Sequence, residues 1–432
     1  MHVCRRWRSV VFESPRHLDL QLCCTARTPV RDMLDIWPPF PLVIDDVTSL
    51  RGDVDNVIAA LQRRDRVHGI HLFRANGSAI ENVLAAMQEP FPELTYLWLS
   101  SDGKMVPIVP DSFLGGSAPH LRSLVLDGIP FPDLPKLLLS ATHLVYLHLY
   151  NIPHSGYISP DAVVTALSTL TNLNSLVLEF QSPRSHRDHA SRPPPPLHTV
   201  LAILTHFHFK GVHEYLDDLM ARIDAPQLFN LKITFFNDIV FDAPQFTQFI
   251  SRTPTMKQVE NTHVVFGNHR GIVNSSSPTS GCEVEILCRE LDWQVSSLEQ
   301  LCAPHFPPFS TLEDLYIYER LYGEQPDWRD NIENTLWLDL LHRFSTEESL
   351  PIQGVCAAYR GRSARARCGK NDRSVAHPAE YFLRGARASW ACPGRHWEDR
   401  YCATSLRSHY KRFPLGKRLD AGAGLVLLVG GR

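Results

Sequence analysis

The sequence lacks the short motifs that mark common catalytic and nucleotide-binding sites. GxSxG, GxxxxGK[ST], GxGxxG and HExxH are all missing, so nucleophile elbows, phosphate-binding loops and zinc-protease helices are not indicated. Adjacent carboxylates such as Asp217-Asp218 and Asp45-Asp46 are typical of solvated turn or helix positions rather than of a paired acid and base. We therefore expect a protein that is not an enzyme and that uses no cofactor.

Regularly spaced cysteines and long apolar runs are also missing. The ten cysteines form no CxxC pair, which indicates reduced thiols in the cytoplasm or nucleus rather than a disulfide framework. No apolar stretch reaches the roughly 18 residues that a membrane-spanning helix needs. The basic amino terminus lacks the apolar core and cleavage site of a signal peptide. We expect a cytoplasmic or nuclear protein with no membrane partner.

A repeated leucine pattern occupies residues 93–180. Leu-x-x-Leu-x-Leu occurs there four times, starting at Leu94, Leu121, Leu144 and Leu173, and these starts are 27, 23 and 29 residues apart. The second and third leucines of each set share one face of a short strand, and the intervening residues suffice for a helix and a return. A single unit cannot bury its leucines alone, whereas stacked units build a continuous core.

Further strand sets lie on both sides of this stretch. They are Val67/Ile70/Leu72, Leu204/Phe207/Phe209, Leu228/Leu231/Ile233 and Leu312/Leu315/Ile317. Three repeat periods separate the last two sets, so we expect two degenerate repeats there, with strands at His263–Phe266 and Glu283–Leu287. The sequence therefore predicts an α/β fold over residues 17–344. Within that class it predicts an irregular leucine-rich-repeat solenoid, a horseshoe with parallel strands and outer helices.

Helix signals separate the strand sets. Val54, Val57, Ile58 and Leu61 recur at helical spacing. The pattern Ser78-x-x-Glu81 is typical of a capping box and predicts where the next helix begins. Strand, capped helix and strand then make one complete repeat.

Large amphipathic side chains alternate with the buried leucines. In a leucine-rich horseshoe, the residues beside the buried pair point outward from the concave face, and aromatics dominate binding hot spots. Covering by flanking loops, or the strand propensity of Tyr and Trp alone, would also account for these residues. We predict a protein substrate on the concave face, contacted by Tyr96, Trp98, Tyr146, His148, Tyr150, His206, His208, Lys210, Tyr316 and Tyr318.

Two of these residues, His206 and His208, fall on one strand face with His213 nearby, a set compatible with zinc. Two imidazoles on the exposed side of a repeat strand are more often plain surface. We therefore predict no metal site.

Residues 1–16 resemble the closing helix of an F-box, with Val3, Trp7 and Val10 on one side. Read alone, they also fit an amphipathic helix with one buried tryptophan. From Val3 to about Arg343, including SPRHLDLQL, DMLDIWPPFPLVI and NIENTLWL, the chain resembles a large family of F-box-like proteins of mushroom-forming fungi. The resemblance implies substrate recognition for an SCF-type ubiquitin ligase, with the three residues as a remnant of the adaptor helix.

The F-box pattern is incomplete, because the chain begins inside its last helix. We expect a Skp1-type adaptor to bind weakly or not at all. The alternative function is an interaction scaffold that works without a ligase.

Two segments depart from the repeat pattern. Residues 181–197 are polar and proline-rich, which predicts an exposed loop inserted in one repeat; its run of four prolines could also dock an SH3 or WW domain. Residues 345–432 form a basic tail, since 351–432 hold 13 Arg and 3 Lys against 5 acidic residues. We interpret the tail as an out-of-frame translation or a disordered extension. Nucleic-acid binding through phosphate contacts is the least favoured alternative, because no RNA-binding motif is present.

Overall fold

Strands and helices alternate along the chain and give a mixed α/β fold. The computed structural model describes residues 18–25, 29–36, 39–46, 54–103, 107–183, 198–236, 243–257, 261–267, 269–277 and 280–301, and the strands 314–320 and 426–429. The α/β class predicted from the sequence is confirmed.

The strands are short, and most have five to seven residues. They are β1 (Leu18–Cys23), β2 (Leu42–Asp46), β3 (Val67–Ala75), β4 (Tyr96–Ser101), β5 (Ser123–Asp127), β6 (Tyr146–Ile152), β7 (Ser175–Phe180), β8 (Thr199–Val200), β9 (His206–Gly211), β10 (Ile223–Asp224), β11 (Asn230–Phe236), β12 (Asn261–Gly267), β13 (Arg270–Ser276), β14 (Gly281–Leu287), β15 (Asp314–Arg320) and β16 (Val426–Val429).

The helices fall between the strands. They are α1 (Val30–Ile36), α2 (Val54–Leu61), α3 (Gly77–Ala86), α4 (Leu134–Ser140), α5 (Pro160–Leu167), α6 (His213–Met220), α7 (Pro244–Arg252) and α8 (Leu291–Leu301). Short 3₁₀ segments lie at Phe113–Gly116, His154–Gly156 and Pro254–Lys257. Among the residues described, no helix combines the length and the apolar character that crossing a bilayer requires.

One mostly parallel sheet contains all the strands except β8 and β10, which pair with each other. From β1 to β11 the order in the sheet follows the order in the chain, and every neighbouring pair is parallel. Strand β14 continues the parallel series beside β11. Strands β15 and β16 lie at the two edges, the first parallel to β12 and the second antiparallel to β1.

The leucines of the four central sets align across the sheet. Leu97, Leu124, Leu147 and Leu176 occupy one row of the register, and Leu99, Leu126, Leu149 and Leu178 occupy another. All eight are buried, none more than 4% exposed. This arrangement confirms the predicted core, and a shift of one residue would have turned each leucine to the other face.

Helix α3 shows how the sequence sets a helix start. The Oδ1 atom of Asn76 accepts a hydrogen bond of 2.8 Å from the backbone N–H of Ala79, which satisfies one of the free donors of the first turn. The capping box predicted at Ser78 and Glu81 is therefore wrong by two residues. The buried side of this helix includes Ile80 and Val83.

The region after β11 differs from the prediction of two degenerate repeats. The predicted strands occur as β12 and β14, but the unpredicted strand β13 lies between them and pairs antiparallel with both. The buried side of β13 holds Gly271, Val273 and Ser275 instead of leucines. A Cβ atom at Gly271 would lie 3.2 Å from Leu298 Cδ1 of helix α8. The close approach of this helix favours glycine at this one position, and the buried side of β13 contains no leucine.

Several predicted segments fall outside the described residues. They are residues 1–16, most of the predicted loop 181–197, and the tail 345–432 apart from strand β16.

Candidate protein-binding face

One face of the sheet carries the buried leucines, and alternate residues of each strand occupy the opposite face. We call that opposite face the open face, because its side chains are mostly half-buried or exposed; β9, for example, alternates half-buried and buried residues. Register aligns these residues into rows that cross the strands. The middle row contains Cys23, Asp45, His71, Trp98, Val125, His148, Val177, His208, Lys232 and Glu283.

Aromatic rings cluster on β3 and β4. The ring centroids of His71 and Trp98 are 4.6 Å apart, and Phe73 meets Trp98 edge to face at 6.4 Å. The ring of Tyr96 lies 6.4 Å from that of His71. Phe73 is 44% exposed, whereas Trp98 and Tyr96 are half-buried. These rings therefore pack on one another and still present apolar surface to solvent.

Asp45 anchors the histidine of this cluster. Its Oδ2 accepts a hydrogen bond of 2.7 Å from Gln21 Nε2, and its Oδ1 lies 3.1 Å from His71 Nδ1. A carboxylate can only accept here, so Nδ1 is the donor of this contact. Among the described residues, neither His71 Nε2 nor Trp98 Nε1 has a hydrogen-bond partner.

The three predicted contact residues of β6 differ in exposure. Tyr146 is 36% exposed and Tyr150 is half-buried, but His148 is only 7% exposed. The ring centroids of Tyr146 and Tyr150 lie 6.2 and 5.9 Å from that of His148, and its Nε2 lies 2.9 Å from Ser175 Oγ. His148 therefore lies on the open face, but its neighbours leave little of its side chain accessible to a partner.

A second carboxylate lies on β5, between these aromatic groups. Asp127 Oδ2 accepts a hydrogen bond of 2.9 Å from Ser100 Oγ, and Oδ1 accepts one of 2.8 Å from Asn151 Nδ2. Asn151 has a left-handed backbone (φ 49°), which asparagine tolerates better than most residues. Burial, followed by the charges of Glu179 and this carboxylate, raises the pKa of Tyr150 to about 12, so its hydroxyl stays protonated at neutral pH.

From β7 onward, charged residues replace the aromatics of the open face. Lys232 Nζ lies 2.8 Å from Glu283 Oε1. Glu285, 5% exposed, accepts hydrogen bonds from Arg270 Nη1 at 2.9 Å and Thr234 Oγ1 at 3.1 Å. Burial opposes the charge of Lys232, but the adjacent Glu283 outweighs it and the pKa of this lysine is raised. These side chains satisfy one another across strands.

His208 and Glu179 meet within this charged region, with His208 Nδ1 3.4 Å from Glu179 Oε1. Burial, and then the charges of Lys232 and Lys210, lower the pKa of His208 to about 3. Burial also raises the pKa of Glu179. The imidazole is therefore neutral at pH 7, and this contact is not an ion pair.

The remaining predicted residues of β9 lie at its two ends. The ring of His206 is 4.7 Å from that of Phe229, and Lys210 Nζ lies 5.5 Å from the ring centroid of Phe236. In the part of the chain that the structure describes, no group of three His, Cys, Asp or Glu side chains could hold a metal ion.

Two predicted contact residues, Tyr316 and Tyr318, belong to β15 and pair in register with His263 and Val265 of β12. Their side chains lie outside the described residues, as do Val3, Trp7 and Val10 of the predicted adaptor helix.

Sequence reasoning did not single out His71, Phe73 or Lys232 as contact residues. The signal was available, because each alternates with the buried residues of a predicted strand set in β3 or β11. The contacts of Asp45 with Gln21 and His71 depend on which strands are neighbours in the sheet, and no local sequence pattern indicates them.

No model of a known protein family matches this chain, and no curated protein matches its sequence, so its function is argued from the geometry of the open face.

Proposed function

We propose that this protein binds another protein through the open face, as a leucine-rich-repeat solenoid whose concave side is that face. The observation that carries the proposal is the aromatic surface of Phe73, Tyr96, Trp98, Tyr146 and Tyr150, which lies on the parallel strands β3, β4 and β6 and is not fully covered. Tyrosine and tryptophan are the residues most enriched in binding hot spots.

The extent of this surface favours a macromolecular partner. Neighbouring strands are about 4.8 Å apart, so the surface extends roughly 14 Å from β3, the first of the four strands, to β6, the last. A small ligand is normally enclosed by a concave pocket, whereas these side chains form rows across a sheet. A row of that length suits a peptide segment or a protein surface.

The sequence resemblance narrows the proposal to a role in ubiquitination. If residues 1–16 are the end of an F-box, the bound protein is a substrate of an SCF-type ligase. Co-purification with a Skp1-type adaptor tests this part, and we expect weak or no binding by the chain as given. Tight adaptor binding would contradict that expectation. If the adaptor does not bind even after the upstream coding sequence is added, a scaffold that works without a ligase is favoured.

Comparative affinity capture tests the binding function itself. Wild-type protein and the Trp98→Ala/Tyr146→Ala variant are immobilised in parallel, with Trp293→Ala as control. Trp293 is 43% exposed on helix α8, so the control removes a comparable side chain away from the open face. We expect proteins that wild type and Trp293→Ala retain but the double variant loses, followed by reconstitution with purified components. Equal retention by all three folded proteins would contradict the proposal.

A further inference from the structure

Charge is distributed unevenly over the open face. On strands β2 to β6, the carboxylates of this face are Asp45 and Asp127, and the one lysine or arginine is Arg74, near the end of β3. By contrast, β7, β9, β11, β13 and β14 contain three acidic and three basic residues, and two of the resulting pairs lie within 2.9 Å. The acidic excess therefore falls on the aromatic part of the face.

The two face carboxylates of this part accept hydrogen bonds from side chains other than lysine and arginine. Asp45 accepts from Gln21 and from His71 Nδ1, while Asp127 accepts from Ser100 and Asn151. Among the described residues, no lysine or arginine forms an ion pair with either carboxylate. Hydrogen bonds thus position both carboxylates, and within the described part of the chain neither has a lysine or arginine as its counterion.

Aromatic rings fill the space between these carboxylates. Asp45 lies on β2 and Asp127 on β5, three strand spacings apart and offset by two residues along the strands, so the two positions are roughly 16 Å apart. Between them, Phe73 and Trp98 meet at an interplanar angle of 85°, and Tyr96 lies on the same strand as Trp98. Ring faces attract cations through their quadrupole, and the carboxylates on either side add long-range attraction.

We propose that Asp45, Phe73, Tyr96, Trp98 and Asp127, the acidic-aromatic patch, bind a basic segment of the partner protein. This inference rests on the proposed function and specifies its partner. The segment carries lysine or arginine side chains that lie over the rings and face the two carboxylates. An extended chain advances about 3.4 Å per residue, so two basic residues about four to five positions apart match the separation of the carboxylates.

Selection from a random peptide library on the purified full-length protein tests the inference. Peptides of about twelve random residues are displayed and selected, and the enriched peptides are synthesised and titrated by fluorescence anisotropy. We expect enrichment of lysine and arginine at two positions. Binding should weaken at least tenfold in Asp45→Asn/Asp127→Asn and in Trp98→Ala, but not in the control Asp55→Asn, which alters an exposed carboxylate on helix α2.

A salt titration of the wild-type protein provides a measurement that does not depend on how the variants fold. Raising NaCl from about 50 to about 500 mM shortens the screening length severalfold, so peptide binding should weaken. If the double variant is destabilised, the single variant Asp127→Asn replaces it in the peptide titration.

The outcomes separate the two proposals. Enriched peptides that are acidic or uncharged but still require Trp98 and Tyr146 would overturn the basic-segment inference and leave the proposed function intact. Peptides whose binding is unchanged in all open-face variants, or a selection that enriches none, would count against both.

Discussion

The aromatic and the ion-paired parts of the open face use their side chains differently. In β2–β6, rings pack on rings, and the carboxylates of Asp45 and Asp127 accept hydrogen bonds from side chains other than lysine and arginine. In β11–β14, Lys232 pairs with Glu283 and Arg270 pairs with Glu285 across the strands. Beneath both parts, the sheet buries the same kind of apolar residue on its other face.

This difference shows in which part of the face the charged side chains are already paired within the protein. Charged side chains that satisfy one another need no partner molecule, and a partner would first have to separate them. Half-buried rings beside carboxylates that have no lysine or arginine counterion within the described residues gain by being covered, because apolar area is removed from water and the charges obtain counterparts. We therefore assign recognition to β2–β6 and a structural role to the pairs of β11–β14.

The largest expected effect is a loss of stability from core substitutions. It should occur beneath both parts of the open face, because the two parts share one core. Leu147→Ala in β6 and Ile233→Ala in β11 remove buried side chains that are 2% and 0% exposed. Each should lower the free energy of unfolding by about 2–5 kcal/mol, from lost burial and the cavity left behind. Urea denaturation measures the change. A loss well under 1 kcal/mol at either site would show that the leucine side is not a packed core there.

A second prediction tests the structural role of the ion pairs. Glu285→Ala removes a buried carboxylate that accepts from Arg270 and Thr234, and should cost about 1.5–3 kcal/mol of stability. The matched variant on the same strand, Glu283→Ala, removes a carboxylate that is 28% exposed and pairs with a lysine that is 40% exposed. It should cost less than about 1 kcal/mol. Equal effects in urea denaturation would contradict the distinction.

A third prediction concerns acid stability. His208 has a folded-state pKa of about 3, below the ordinary value near 6.5, so the unfolded chain binds a proton that the folded chain does not. Stability should therefore fall as the pH drops from 7 to 5, and His208 should account for at most about 2 kcal/mol of that loss. The raised pKa of Glu179 acts in the opposite direction, since the folded state then takes up a proton above its ordinary pKa.

The variant His208→Gln is neutral in both states and should lose less stability than wild type over this range. His120→Gln, at an exposed site, should retain the wild-type pH dependence. Identical pH profiles for wild type and His208→Gln, measured by urea denaturation at pH 7, 6 and 5, would show that the imidazole is not kept neutral by folding.

The predictable part of this fold was the part encoded by local periodicity. The leucine sets alone predicted eight buried positions of β4–β7 and their parallel alignment, because each strand repeats one spacing. Strand β13 was missed because its buried side contains no leucine, and a neighbouring helix favours glycine at Gly271. Strands β12–β14 form an antiparallel meander around this strand, so their topology could not be predicted from the leucine pattern.

The candidate site was predictable as a face but not as a set of contacts. Alternation placed Tyr146, His148 and Tyr150 together on the open face, yet only the three-dimensional packing shows that the outer rings cover His148. The hydrogen bonds of Asp45 with Gln21 and His71 join three strands, and no local sequence pattern indicates which strands are neighbours.

The smallest expected effect on stability comes from the most exposed ring. Tyr146→Ala removes a side chain that is 36% exposed, and should lower the unfolding free energy by less than about 1 kcal/mol, within the range of surface substitutions that retain some packing. Trp98→Ala, which loses contacts with His71 and Phe73, should cost slightly more. Differential scanning fluorimetry and urea denaturation measure both changes.

The binding affinity of Trp98→Ala for a purified partner, measured together with its stability, tests the central claim most directly. Isothermal titration calorimetry should show a dissociation constant raised about thirtyfold, equivalent to about 2 kcal/mol, in a protein that remains folded. Trp293→Ala should bind like wild type. Wild-type affinity in folded Trp98→Ala would contradict the claim that the aromatic part of the open face is the recognition surface.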